Sequence, residues 1–259
     1  MIGGFLCIRN GFRLDYPFEQ AAASLLGVCD EIVISDCGSD DGTRERMDEM
    51  AAKDPRITLH SFPWTNPVGD IWWYPLWLNT ARQHLKMKGG WAIYLDADEI
   101  LHEDSYPLVR EAAEKGEALI CKRLNFWRDS QHLIPEGQCC GSRVIRVGPQ
   151  DTPFPSDYPN PEAEKIQAMA KESEVQICHY GFLREQKAWF RKAKEVQRIW
   201  HNQYDPRLVA AEKFDGKWFD MPNICGDEGK PGWENELVEF KGTHPEIIKP
   251  WLKARGYEI

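Results

Sequence analysis

Two apolar, strand-like runs in this chain each stop on an acid. They are Glu31-Ile32-Val33-Ile34-Ser35-Asp36 and Trp91-Ala92-Ile93-Tyr94-Leu95-Asp96. Around them the first hundred residues alternate strand and helix patterns. Phe5 to Ile8 is apolar, and Phe18 to Leu26 carries Ala21, Ala22, Leu25 and Leu26 at helical spacing. A helix from about Thr43 places Met47, Met50 and Ala51 on one face and stops before Pro55, and Ile57 to Phe62 forms the next strand. This order predicts an α/β fold: a Rossmann-like, mostly parallel sheet with flanking helices. Such sheets bind ligands beyond the carboxyl ends of their strands, where both acids fall.

The later sequence is more mixed. Ala118 to Trp127, Ser142 to Val147 and Val175 to Tyr180 read as strands, with a Pro-rich loop from Pro149 to Pro161 between the last two. A long helix is expected from about Glu185 to Gln203, and the final stretch, rich in Gly, Pro and Trp, has weak periodicity. No internal repeat occurs. The 42% hydrophobic content supports a normal core, while a net charge of -9 argues against a broad nucleic-acid surface. No stretch reaches the ~20 apolar residues that cross a bilayer. The short N-terminal apolar run lacks the basic start of a signal peptide. Eight cysteines without CxxC spacing read as reduced thiols of a cytoplasmic protein.

Asp96-Ala97-Asp98-Glu99 follows a buried strand directly. On an extended backbone Asp96 and Asp98 would point to one side, ~6.5 Å apart. Two carboxylates so placed need a cation, and their hard oxygens suit Mn²⁺ or Mg²⁺, which also bind diphosphate oxygens. A bare DxD is usually a solvated loop. Its place at a strand's carboxyl end, beside a second acidic strand end, favours a site instead. In Asp36-Cys37-Gly38-Ser39-Asp40-Asp41-Gly42-Thr43 the glycines serve a tight strand-to-helix turn, and Asp41 or Thr43 can cap the helix. Asp36 is left facing the crevice, able to accept from a nucleobase N–H or a ribose hydroxyl.

These segments together resemble the nucleotide-binding half of the GT-A glycosyltransferases, particularly the family 2 group. Ile8-Arg9-Asn10 resembles the end of that family's first strand. Val33 to Thr43 resembles its V-V-D-D-G-S-x-D-G-T turn, with Cys37 where a second Asp often stands. Leu95-Asp96-Ala97-Asp98-Glu99 resembles its L-D-A-D-E motif. The resemblance implies a metal-dependent transfer of a sugar from a nucleotide-sugar donor, by default a UDP-sugar, to a hydroxyl acceptor with inversion. It implies donor contacts at Arg9, Asp36 and Asp96, and metal ligation by Asp98 with Asp96. It also implies that a late histidine returns to the metal, and His179 is chosen for this over His102, His132, His201 and His244. Asp70, Asn79 and Arg82, in the stretch before the DxD strand, become donor candidates.

The same reading divides the chain into a catalytic domain over 1–182, with a nucleotide-sugar half (1–101) and an acceptor half (102–182), and a helical or irregular extension over 183–259. On the long helix, Lys187, Arg191, Lys194 and Arg198 form a basic stripe. A solvated face explains it most simply, but Arg184 and Lys187 could hold a donor diphosphate, and the stripe could equally meet an anionic acceptor or a membrane surface. Tryptophans 72, 73 and 77 read as core before sugar platforms. An inverting reaction needs a carboxylate base, expected at Asp157; Glu136, Asp151, Glu162 and Glu164 also qualify by type. The acceptor stays open among glycans, lipid-linked sugars and other hydroxyl compounds. A sugar nucleotidyltransferase is the main rival, lacking here its glycine-rich basic loop. A dehalogenase-type phosphatase and a non-catalytic carbohydrate-binding module fit less well.

Overall fold

The computed structural model describes residues 1–65, 73–135, 145–151, 165–166, 168–201 and 236–259. Its first half is a run of strands and helices: β1 (Ile2–Ile8), α1 (Phe18–Leu26), β2 (Glu31–Asp36), α2 (Thr43–Lys53), β3 (Ile57–Ser61), α3 (Trp73–Gln83) and β4 (Trp91–Tyr94). Strands β3, β2, β1 and β4 lie side by side and parallel, with Ile8 beside Asp36 and Phe5 beside Tyr94. The alternation of a strand decides which helix each side chain meets. Leu6, Ile8, Ile32, Ile34 and Ile93 join one apolar cluster with Phe18, Ala21, Ala22 and Leu25 of α1. Phe5, Val33, Ala92 and Tyr94 face the other way, onto Leu78 and Ala81 of α3 and the following Leu85. Both sheet faces are thereby covered, as a parallel sheet requires. Helix α2 ends as expected before Pro55, because proline excludes the helical region for Asp54, which is extended.

The second half adds β5 (Glu99–Leu101), α4 (Tyr106–Lys115), β6 (Leu119–Asn125), β7 (His132–Leu133), β8 (Ile145–Pro149), β9 (Lys171–His179), α5 (Gln186–His201), β10 (Val238–Glu239) and α6 (Lys249–Ala254). The eight-stranded sheet runs β3-β2-β1-β4-β8-β6-β9-β5. Strand β8 is antiparallel to both β4 and β6, β6 and β9 are parallel, and β5 is antiparallel to β9. The fold is α/β with a Rossmann-like parallel half, as the sequence pattern predicts. One local expectation is corrected. The segment after β4 is not extended: the Glu99 N–H donates to the Asp96 carbonyl at 3.0 Å, closing a turn over Asp96–Glu99.

Part of the weakly patterned C-terminus is anchored in the core. Ile248, Trp251 and Leu252 join the same apolar cluster as β1 and β2, and so does Leu183 from the start of the expected extension. Polar ties fix this strap: Arg255 pairs with Asp15, Ser130 donates to the Glu258 carbonyl, and His102 Nε2 lies 3.0 Å from the Thr243 carbonyl. Among the described residues no helix is long and apolar enough to cross a membrane.

Candidate active site

The site assembles because β5 pairs with β9. Glu99 is the register partner of His179, and the Tyr180 N–H donates to the Asp98 carbonyl at 2.9 Å. A turn after β4 and the end of β9, 80 residues apart in sequence, are thus fixed against each other. Asp98 Oδ1 faces His179 Nε2 at 3.6 Å, and both side chains are buried. Gly181 permits this approach. A Cβ there would sit 2.8 Å from Asp98 Oδ2 and well inside contact distance of His179 Nε2.

The other Asp98 oxygen is bound by cations. Arg184 NH2 donates to Oδ2 at 2.5 Å and Lys192 Nζ at 2.9 Å. Burial alone would push the Asp98 carboxyl up, but Lys192, His179 and Arg184 together hold it well below the usual carboxylate range. Burial, reinforced by Arg123, lowers His179 to about 4 against the pull of Asp98, so its imidazole is neutral at pH 7. Its Nδ1 is buried without a hydrogen-bond partner among the described residues.

Beside this pair lies a second buried cluster. Glu99 accepts two hydrogen bonds from Arg146, both at 2.8 Å, and forms an ion pair with Arg123 at 2.6 Å. Burial pushes the Glu99 carboxyl up, and the two arginines oppose that shift. Arg123 also lies 3.7 Å from Asp96 Oδ2, while the Asp96 N–H donates to Glu99 Oε2 at 2.8 Å. Across the two clusters, four cations (Arg123, Arg146, Arg184, Lys192) face three acids (Asp96, Asp98, Glu99), with His179 neutral. Within these two clusters the cations outnumber the acids by one, a local balance that suits an anionic ligand.

Along that edge, Asp36 is buried at the end of β2, where its Oδ1 accepts the Ser39 N–H at 3.0 Å. Asn10, fully buried with φ of 53°, interlocks with the same turn. Its N–H donates to Ser39 Oγ at 2.9 Å, and its Oδ1 accepts the Asp40 N–H at 3.0 Å. Arg9 stacks over Trp64, 3.8 Å from the ring centroid, and pairs with Glu195 of α5 at 2.6 Å. Gly38, with φ of +78°, lets Trp64 press against the turn, since a Cβ there would meet Trp64 Cβ at 2.6 Å.

No family model and no curated protein matches the chain. Solved structures of similar fold do. Staphylococcus aureus TarS is 12% identical at a TM-score of 0.44, over 82% of this chain and 42% of its own. The mannosyltransferase PcManGT from Pyrobaculum calidifontis, in complex with GDP-Man and Mn²⁺, is 17% identical at a TM-score of 0.47, over 82% and 68%. The 4-diphosphocytidyl-2C-methyl-D-erythritol synthase of Anaerococcus prevotii is 13% identical at a TM-score of 0.43, over 82% and 95%. The chain therefore spans less than half of the TarS chain. At these identities and scores the likenesses assign no donor, metal or acceptor.

Of the residues the sequence singled out, the structure brings Asp98 and His179 together and sets Arg9, Asp36 and Asp96 along the same sheet edge. It separates others. Among the described residues no three His, Cys, Asp or Glu side chains converge enough to hold an ion. Asp96, turned toward Arg123 by the turn after β4, does not complete a triad with Asp98 and His179. Arg82 donates to the carbonyl of Gln150, whose own N–H donates to the Gly90 carbonyl just before β4. That is the amino edge of the sheet, roughly 20 Å from Asp96 at 3.3 Å per residue. Asn79, 3.2 Å from Arg82 Nε, goes with it. Helix α3 runs back from the carboxyl edge, so its last turns cannot serve a donor there. Lys187 is exposed, about 140° around α5 from Lys192, at 3.6 residues per turn. Asp70 and Asp157 lie outside the described residues.

Three of the four rejected histidines have structural partners: His132 lies 2.9 Å from Asp129, His102 is bonded to Thr243, and His244 Nδ1 takes the Tyr180 hydroxyl at 2.8 Å. Lys192 and the Glu99–Arg146–Arg123 cluster were missed. A helical wheel aligned on Trp189 and Ala188 would have turned Lys192 inward, but nothing local marks Arg123 and Arg146, which lie inside strand patterns.

Proposed function

We propose that this chain is a metal-dependent glycosyltransferase of the family 2 type. It moves a sugar, with inversion, from a nucleotide-sugar donor (a UDP-sugar by default) to a hydroxyl of a glycan, a lipid-linked sugar or another acceptor. One observation carries the reading: an ionised carboxylate and a neutral imidazole face each other at 3.6 Å on the carboxyl edge of a parallel sheet. Octahedral Mg²⁺, with ligands at about 2.0–2.1 Å, sets neighbouring ligands about 3 Å apart, so a small side-chain shift brings this pair into range. Asp98 Oδ1 and His179 Nε2 would hold Mn²⁺ or Mg²⁺, which when bound supplies Lewis-acid charge to a departing diphosphate.

The protein's own groups do the rest. Arg184 fixes the Asp98 carboxylate from behind, and burial keeps His179 neutral and able to ligate. Arg9 and the Asp36 turn stand where the nucleoside end of the donor would lie. Asp98 is held well below the usual carboxylate range and is a poor proton acceptor, Glu99 has both oxygens occupied by Arg146 and Arg123, and Asp157 stays the proposed base for the acceptor hydroxyl.

The test is a panel of UDP- and GDP-sugars, incubated with and without Mn²⁺ and scored for the phosphate product. Metal-dependent release of a nucleoside diphosphate supports transfer. In a parallel arm with added pyrophosphate, its consumption with formation of UTP or GTP identifies a nucleotidyltransferase, and no turnover on any donor overturns the proposal.

A further inference from the structure

Arg184 and Lys192 both bind Asp98 Oδ2, but they are held differently. Arg184 is fully buried and committed on three sides: Nε donates to the Gly181 carbonyl at 2.8 Å, NH1 to the Leu14 carbonyl at 2.6 Å, and NH2 to Asp98. Lys192 keeps 29% of its side chain exposed, and its ammonium rests between Asp98 Oδ2 and the face of Tyr16, 5.1 Å from the ring centroid. One guanidinium already balances the single charge of Asp98. Lys192 is the surplus cation, at the mouth of the site, on a flexible four-carbon stem with three rotatable donors.

Its position along α5 gives that surplus a direction. Three residues further on, Glu195 reaches Arg9 at the end of β1. Three residues of helix rise about 4.5 Å, so one face of α5 spans from the Asp98–His179 pair to the Arg9–Trp64 stack. A nucleoside diphosphate with its base end near Arg9 and its phosphates near Asp98 would run beneath that face, past Lys192.

We propose that Lys192 is a donor-binding residue that grips the diphosphate, and that it leaves Asp98 to do so when a divalent cation enters. The inference rests on the function proposed above. Asp98 Oδ2 cannot keep two monovalent cations while Oδ1 takes a divalent one without strong like-charge repulsion. The more mobile cation is the one that moves, and the diphosphate offers the nearest new acceptors. Arg184 stays and holds the carboxylate in place.

Lys192→Gln should therefore change two affinities in opposite directions. Titrated with Mn²⁺ alone and followed by the paramagnetic resonance of the free ion, the variant should bind manganese about fivefold tighter or more. Titrated calorimetrically with UDP and with GDP at saturating Mn²⁺, it should bind its preferred nucleotide about tenfold or more weaker, the usual scale for losing a charged hydrogen bond. Lys192→Arg, which keeps the charge, should stay within about threefold of the wild type for the nucleotide. The idea is overturned if Lys192→Gln matches the wild type for both ligands, or weakens both together as a merely structural loss would. It is overturned equally if Lys187→Gln, on the far side of the helix, loses the nucleotide instead. In each of these cases the wild type still binds manganese and nucleotide, and the glycosyltransferase reading stands. A wild type that binds neither manganese nor nucleotide overturns that reading, and this inference with it.

Discussion

Asp98 and His179 meet because a register pair, Glu99 with His179, fixes the turn after β4 against the end of β9, leaving Oδ1 and Nε2 3.6 Å apart. The opposite face of the Asp98 carboxylate is closed by Arg184, a fully buried guanidinium. Substituting Asp98→Asn therefore does two things. It removes the charge proposed to bind the metal, and it strands Arg184 without a counter-ion. Metal-dependent transfer should fall below detection, and stability should drop by about 3–5 kcal/mol, the usual cost of breaking a buried pair. Urea denaturation alongside the donor assay checks both. An Asp98→Asn protein of wild-type stability would show that the Arg184 pair is not the anchor described.

Gly181 allows a cleaner perturbation, because its backbone has no left-handed strain. A Cβ would press on His179 Nε2 and on Asp98 Oδ2, 2.8 Å away, without removing either group. Gly181→Ala should cost about 1–3 kcal/mol of stability through overpacking. It should lower turnover about 100-fold, since displacements near 1 Å cost that much in an aligned site. A fully active Gly181→Ala enzyme would mean that the pair is not used in the geometry described here.

The legibility of the molecule in its sequence divides at Asp96. The bounds of α1, β2, α2, β3 and β4 follow the apolar periods to within about a residue, because each element buries a regular face against one neighbour. Beyond Asp96 the chain turns at once, so the two acids of the DxD do not share a strand face, and spacing alone could not show it. His179 is chosen through the family resemblance, since a strand-end histidine alone favours a structural role, and its partner depends on β5, a three-residue strand too short to give a pattern. Arg82 is a donor candidate through the family resemblance of the stretch before the DxD strand, but α3 carries it to the opposite edge. The cations that neutralise Asp98 and Glu99 come from β6, β8, the turn before α5 and the middle of α5, contacts set by tertiary packing rather than by local sequence.

The Glu99 cluster should matter more for stability than for catalysis. Its carboxylate is completely buried and is matched by Arg146 through two hydrogen bonds at 2.8 Å, with Arg123 at 2.6 Å. Glu99→Gln leaves two arginines facing a neutral amide, so a loss of about 3–5 kcal/mol is expected in chemical denaturation. Arg123 also faces Asp96, and the same variant should disturb the donor side through that contact, seen as a rise in donor KM. A Glu99→Gln protein as stable as the wild type would show the cluster to be solvated rather than buried.

Acid should loosen the C-terminal strap. The Tyr180 hydroxyl donates to His244 Nδ1 at 2.8 Å, and His244 Nε2 lies 2.9 Å from the Ser130 carbonyl, a pattern that requires the neutral ring. Burial lowers the His244 pKa, and Lys249 and His102 lower it further against the pull of the Ser130 bond. With the folded value below the unfolded one, unfolding takes up a proton. The stabilisation is complete above about pH 6.5 and is lost as pH falls through the lowered value. Each unit of depression is worth at most about 1.4 kcal/mol, less for the part of the ring that solvent screens. Hydrogen exchange over residues 236–259 should accelerate between pH 7 and pH 5 beyond the intrinsic pH effect, and His244→Phe should abolish that extra dependence. Equal acid sensitivity in the wild type and His244→Phe would assign the loosening to another group.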